Sequence, residues 1–152
     1  MGGLFYTLSA FVIALSIIVF VHEFGHYLIG RCCGIKADVF SVGFGPVIFS
    51  VRDKRGTLWQ FASIPLGGFV KFQGDKNEVS GEQNQEYLVS LNEKERRATL
   101  HGAPLWARSA TVAAGPVFNF FLAIIIFMSV FLTNGKLKDP LTVGEIYPLP
   151  YK

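Results

Sequence analysis

Two long apolar runs divide the chain. The first extends from Leu4 to Val21 and the second from Ser109 to Leu132, and neither contains a charged residue. Because a helix rises about 1.5 Å per residue, each run can cross roughly 30 Å of hydrocarbon. The pattern predicts transmembrane helices within residues 1–34 and 104–133, with Gly34 as the residue that caps the first helix. A mean hydropathy of +0.40 agrees with a membrane protein.

Between these runs the pattern changes twice. Residues 35–73 are rich in β-branched and aromatic side chains punctuated by Gly and Pro, which predicts short strands with a turn at Asp53–Gly56. We expect this apolar segment to be a membrane-associated β-hairpin or small sheet, packed on protein or lining a polar cavity because free strand edges are not tolerated in lipid. Residues 74–103 are polar and predict a solvated loop with a short helix near Glu86–Glu95. The predicted fold class is a mainly α membrane protein whose two transmembrane helices are joined by this loop.

Basic residues indicate the orientation. None precedes the first run, whereas Arg31, Lys36 and Arg108 flank the spans on their inner side. The positive-inside rule predicts that residues 35–103 are cytoplasmic and that both ends are extracytoplasmic. We expect residues 134–152 to begin a further domain outside. Since membrane topology explains the placement of the net charge of +3, we expect no nucleic-acid partner.

The end of the first run carries the candidate chemistry. His22 and His26 are four residues apart, so a helix places both imidazoles on one face, where they can ligate one metal ion. Glu23 beside them is suited to take a proton from water. This His-Glu-x-x-His arrangement is typical of zinc hydrolases and predicts Zn²⁺ as cofactor. A bis-His haem site is a weaker alternative, because haem ligands normally lie on opposite sides of the iron.

Other positions could support such a site. Ser9, Ser16 and Glu23 recur at heptad spacing and either mark a protein-facing stripe or are ordinary polar residues of a membrane helix. Asn119 lies inside the second run and needs a hydrogen-bond partner: the substrate backbone, a metal-site residue or another helix. Gly67 and Gly68 belong to a strand that either holds an extended substrate by its edge or only covers the site.

Three stretches together resemble the site-2 protease family of intramembrane zinc metalloproteases, in its RseP-like bacterial branch. They are VHEFGHYLIGR, then GFGPVIFSV with IPLGGFVKFQGD, and finally AAGPVFNFFLA. The resemblance implies that His22 and His26 are zinc ligands and that Glu23 is catalytic. It also implies that Asn119 lies close to the site.

The resemblance further implies a function. It indicates a protease of the bacterial inner membrane that cleaves single-pass transmembrane proteins within the lipid bilayer, such as an anti-sigma factor in regulated intramembrane proteolysis. The family's third zinc ligand is an Asp of an Asp-Gly pair on a later transmembrane helix, beyond a PDZ region. The sequence lacks such a helix, and Asp53 and Asp139 lie outside the spans. We therefore expect it to correspond to the N-terminal part of the enzyme.

Two other functions stay open. A chain without the third ligand could be an inert membrane fragment or a scaffold that binds partners without turnover. A transporter would also carry intramembrane polar residues, but it would be expected to show broken or repeated helices, which two spans do not support.

Overall fold

The structure, a computed structural model, describes residues 2–76 and 84–135. Our predictions for residues 136–152, including the start of a further domain, lie outside these ranges. The described elements follow in the order α1 (Gly2–Cys32), β1 (Ala37–Arg52), β2 (Leu58–Phe72), α2 (Gln85–Ser90), α3 (Glu93–Arg97) and α4 (Leu105–Asn134).

Helices α1 and α4 confirm the two predicted long helices, and both are long and apolar enough to cross a membrane. Helix α1 ends at the predicted glycine. Gly34 has a φ of +84°, and its amide donates to the Arg31 carbonyl, while the Ile35 amide donates to the Gly30 carbonyl. This pair of bonds is a Schellman cap, which favours glycine at the left-handed position.

The predicted strands are longer than expected and form a bent sheet. Strand β1 pairs with β2 in a two-stranded antiparallel sheet across the predicted turn at Asp53–Gly56. Its first half, from Val39 to Val42, is flanked on both sides by β2: by Leu58–Phe61 and by Gly68–Lys71. Gly43 and Gly45 adopt positive φ angles of 92° and 85°, which bends β1 at this point.

The core lies where the end of α1, the first half of the sheet and the start of α4 meet. Phe40 is fully buried and packs against Tyr27, with ring centroids 5.6 Å apart, and against Trp59, at 4.4 Å. Ile35 and Ala107 are also fully buried. This cluster fixes the sheet against the last turns of α1, next to the His-Glu-x-x-His residues.

Small residues let α1 and α4 approach closely. A Cβ added at Gly25 would lie 2.7 Å from the Ala114 carbonyl oxygen, and one added at Gly30 would meet Phe72 and Thr111. Ala114 and Gly115 are buried between the helices, but neighbouring Ala113 is exposed. Close helix packing through small residues is the usual mode in membranes.

The polar loop contains two short helices where we expected one. Asn92 interrupts the predicted helix because its side chain accepts from the Glu95 amide while the Glu95 carboxylate accepts from the Asn92 amide, a capping box that starts α3. His101 follows α3 and lies 3.2 Å from the Asp75 carboxylate, which is almost fully buried. Burial raises the pKa of Asp75, although the Phe72 amide and His101 oppose this.

Candidate active site

Helix α1 brings the two histidines together as predicted. The imidazole centroids of His22 and His26 are 4.8 Å apart, and both side chains are half-buried. Their Nε2 atoms face the same point on α4. A Cβ added at Gly115 would overlap His26 Nε2 and would lie 2.7 Å from His22 Nε2. The absent side chain of Gly115 therefore leaves a small space between two nitrogen atoms able to ligate a metal.

Helix α4 contacts the other nitrogen of each ring. His26 Nδ1 lies 2.8 Å from the Thr111 carbonyl oxygen. Since a carbonyl can only accept, this nitrogen carries a proton, and in the neutral ring Nε2 keeps its lone pair. His22 Nδ1 lies 3.1 Å from the Asn119 side-chain amide. The structure thus places Asn119 against a candidate metal ligand, which is one of the three partners considered from the sequence.

Strand β2 lies next to the side chain of Glu23. A Cβ added at Gly68 would lie 3.2 Å from Glu23 Cγ and 3.3 Å from Val19. The strand's backbone therefore runs directly beside the candidate general base. Gly67 differs, because a Cβ there would overlap the ring of Phe44. A substrate-binding role stays a prediction for Gly67, Gly68 and Asn119.

A hydrogen bond fixes the far end of the sheet on α1. Ser16 Oγ lies 2.9 Å from the Pro65 carbonyl oxygen and 2.7 Å from the Val12 carbonyl oxygen, and its single hydrogen is shared between these two acceptors. Ser16 lies two helical turns before Glu23, so these two residues of the predicted stripe both face the sheet. Strand β2 accordingly follows α1 from the level of Ser16 to that of the histidines.

Within residues 2–76 and 84–135, no three His, Cys, Asp or Glu side chains form a group able to hold a metal ion. Asp53 has a structural role: it accepts from the Arg55 and Thr57 amides at 2.7 and 3.0 Å and from Tyr27 and Trp59 at 3.2 and 3.3 Å. The described residues thus supply two candidate ligands, His22 and His26, and a third ligand on a later helix stays a prediction.

Sequence reasoning missed Thr111 and Gly115. Thr111, Gly115 and Asn119 follow one another at intervals of four, which places them on one stripe of α4. That spacing was visible in the sequence. It became informative only once α4 was known to pack against the histidine face of α1.

Comparison with known proteins identifies the family of the chain. The sequence model of peptidase family M50 matches residues 10–149. The chain belongs to this family. Metalloprotease MmpA of Caulobacter vibrioides is 41% identical over 153 residues, which cover 96% of this chain and 38% of that protein. A protein of Agrobacterium fabrum named as a zinc metalloprotease is 50% identical over 136 residues, which cover 90% of this chain and 36% of that protein.

A protein of Mesorhizobium japonicum with the same type of name is 46% identical over 140 residues, covering 92% of this chain and 38% of that protein. The chain therefore spans somewhat over a third of the length of these relatives. The names of the relatives imply zinc in peptidase family M50, whose site-2 proteases are membrane proteins. The donor set fits that ion, because imidazole nitrogen is a common zinc ligand and both Nε2 atoms face one space.

Proposed function

We propose that this chain forms part of an intramembrane zinc metalloprotease that cleaves transmembrane proteins of the bacterial inner membrane. The observation that carries the proposal is the convergence of His22 and His26 Nε2 over Gly115, with Glu23 beside them at the edge of β2. When bound, zinc supplies Lewis-acid polarisation of a carbonyl group and of water.

The chain's own residues have separate tasks in this proposal. His22 and His26 hold the ion, and an acceptor on Nδ1 of His26 directs its Nε2 lone pair. Glu23 takes a proton from water and later gives it to the leaving amine. In the described residues, Gly68–Lys71 pairs with β1 on one side only. The other side can pair with an extended substrate and keep its peptide carbonyl accessible.

Orientation in the membrane completes the proposal. Helices α1 and α4 span the bilayer, and the segment between them, with the end of α1 that carries the histidines, lies toward the cytoplasm. The scissile bond then lies near the cytoplasmic edge of the hydrocarbon. The substrate is a single-pass transmembrane protein, of which an anti-sigma factor in regulated intramembrane proteolysis is one example.

Glu23→Gln tests the central role. The purified chain is reconstituted in lipid vesicles with a fluorogenic transmembrane peptide, and its zinc content is measured alongside cleavage. We expect loss of cleavage by at least about 100-fold with zinc retained, because the amide cannot accept the proton. His22→Ala should lower zinc content. Glu93→Gln, at an exposed position of α3, is the matched control; full cleavage by Glu23→Gln would refute the role.

A non-catalytic fragment is the second candidate, favoured by the absence of a three-residue metal cluster from the described ranges. It predicts that the wild-type chain binds zinc weakly through its two histidines and shows no cleavage. The same two measurements separate this candidate from the protease, since only the protease shows turnover that depends on Glu23.

A further inference from the structure

Three residues of α4 face the two imidazoles in register. Thr111 lies at Nδ1 of His26, Gly115 at both Nε2 atoms and Asn119 at Nδ1 of His22. For His26 the geometry fixes the tautomer, because the Thr111 carbonyl accepts and Nδ1 must carry the proton. A ring in that tautomer presents the lone pair of Nε2 to a metal.

At His22 the contact differs, because Nδ1 meets an amide nitrogen instead of a carbonyl oxygen. With Nδ2 of Asn119 toward the ring, the amide donates to Nδ1, which places the imidazole proton on Nε2 and blocks ligation there. The same orientation leaves Asn119 Oδ1 buried without a hydrogen-bond partner. A buried acceptor without a partner is unfavourable, because it has lost its hydrogen bonds to water. The direction of the amide therefore decides which nitrogen of His22 can ligate a metal.

Rotating the amide by half a turn exchanges its oxygen and nitrogen, which have nearly the same shape and are told apart by their hydrogen bonds. Oδ1 then accepts from the Nδ1–H group of His22, and both imidazoles adopt the same tautomer. The NH₂ group takes the former place of Oδ1.

We propose that Asn119 is a positioning residue whose Oδ1 accepts from His22 Nδ1–H and so directs the Nε2 lone pair to the metal. This inference rests on the proposed metal site. The stripe Thr111–Gly115–Asn119 then orients both ligands from one helix: a main-chain acceptor serves His26 and a side-chain acceptor serves His22. Acceptors of this kind usually change metal affinity by about 10- to 100-fold when removed.

The tautomer can be measured without metal. The metal-free chain is labelled with ¹⁵N at histidine, and the two ring nitrogens of His22 are assigned by NMR in detergent. We expect the Nδ1–H form to dominate in wild type and in Asn119→Asp, whose carboxylate also accepts. Asn119→Leu should lose this preference. A dominant Nε2–H form in the wild-type chain would overturn the inference, whatever the metal affinity.

Titration with Co²⁺, followed by its visible absorption, supplies the second measurement. Asn119→Leu should weaken binding about 10- to 100-fold, whereas Asn119→Asp should stay within a few-fold of wild type. Asn134→Leu, at the exposed end of the same helix, is the control, and circular dichroism checks that helix content is kept. If wild type binds Co²⁺ and Asn119→Leu binds it equally well, this inference fails while the metal site stands. If wild type binds none, the proposed function fails.

Discussion

Gly115 is the residue on which the geometry of the candidate metal site depends. Its missing side chain leaves the space that both Nε2 atoms face, and a methyl group would occupy that space. An alanine would be favoured by helix propensity, yet here it would displace two rings at once. The glycine therefore has a role in the site that its position inside an apolar run did not reveal.

We predict that Gly115→Ala lowers zinc affinity by on the order of 10-fold or more, because neither ring can keep its place. Zinc content after dialysis against a weak chelator measures this. Gly3→Ala is the matched control, since a Cβ at Gly3 meets nothing within 4 Å. Unchanged affinity in Gly115→Ala would show that the metal is held elsewhere.

At the scale of elements, the sheet is tied to α1 at both ends. Ser16 holds Pro65 at one end, and Tyr27 donates to Asp53 at the other. Burial alone would raise the pKa of Asp53, but hydrogen bonds from the Arg55 and Thr57 amides, Trp59 and Tyr27 outweigh it and lower the pKa. The Asp53 turn thus contributes stability at neutral pH, and this contribution is lost as the pH falls through the lowered pKa.

Asp53→Ala removes these hydrogen bonds, so the turn at Lys54 and Arg55 should open more often. We expect trypsin to cut there about 5- to 10-fold faster at neutral pH, corresponding to roughly 1 kcal/mol of lost local stability. Gel analysis of timed digests in detergent measures the rate. Asp38→Ala removes an exposed carboxylate and serves as control; equal rates for both variants would mean that the Asp53 bonds do not hold the turn.

Gly68 brings the sheet close to Glu23, the proposed general base. A Cβ there would lie 2.7 Å from the Ser41 carbonyl oxygen as well as close to Glu23. We predict that Gly68→Val shifts β2 away from Glu23 and lowers cleavage of a transmembrane peptide by about 10-fold or more, while zinc content is unchanged. Gly56→Ala, in the distant turn, tests whether any strained glycine has the same effect. Loss of zinc in Gly68→Val would assign the strand to the metal site instead.

The sequence predicted those elements whose signals are local. Both long helices, the Gly34 cap and the Asp53–Gly56 turn follow from hydropathy, a left-handed glycine and turn residues within a few positions of each other. His22 and His26 lie on one helix face for the same reason, with Glu23 next to His22 in the chain. The pairing of Val39–Val42 with both halves of β2 was not predictable, because it depends on contacts between distant segments and on bends at Gly43 and Gly45.

The hydrogen-bond partners that orient the imidazoles could not be predicted from the neighbouring residues in the sequence. The acceptor for His26 is a main-chain carbonyl 85 positions later in the chain, and every residue type has such a carbonyl. Only the packing of α4 on α1 selects Thr111. Asn119 could be singled out as an isolated amide in an apolar run, but its partner could be named only from the structure.

For the whole molecule, the proposed orientation can be tested with the chain's own two cysteines. Cys32 is exposed and Cys33 half-buried at the end of α1, which we place on the cytoplasmic side. We predict that a membrane-impermeant maleimide labels the chain in inside-out vesicles and not in right-side-out ones. Cys32→Ser with Cys33→Ser gives the background. Labelling only in right-side-out vesicles would reverse the orientation.

In the proposed protease, the bond between Ser16 and Pro65 has a consequence for substrate unwinding. Glu23 follows Ser16 by seven residues, a rise of about 10 Å along α1. An extended peptide covers that distance in about three residues. A transmembrane helix held along this part of β2 would therefore have to melt by only about one turn before a peptide bond reached Glu23. The energy needed for cutting would depend on a few residues near the cleavage point, and helix-breaking glycine or proline there would favour turnover more than the overall hydrophobicity of the span.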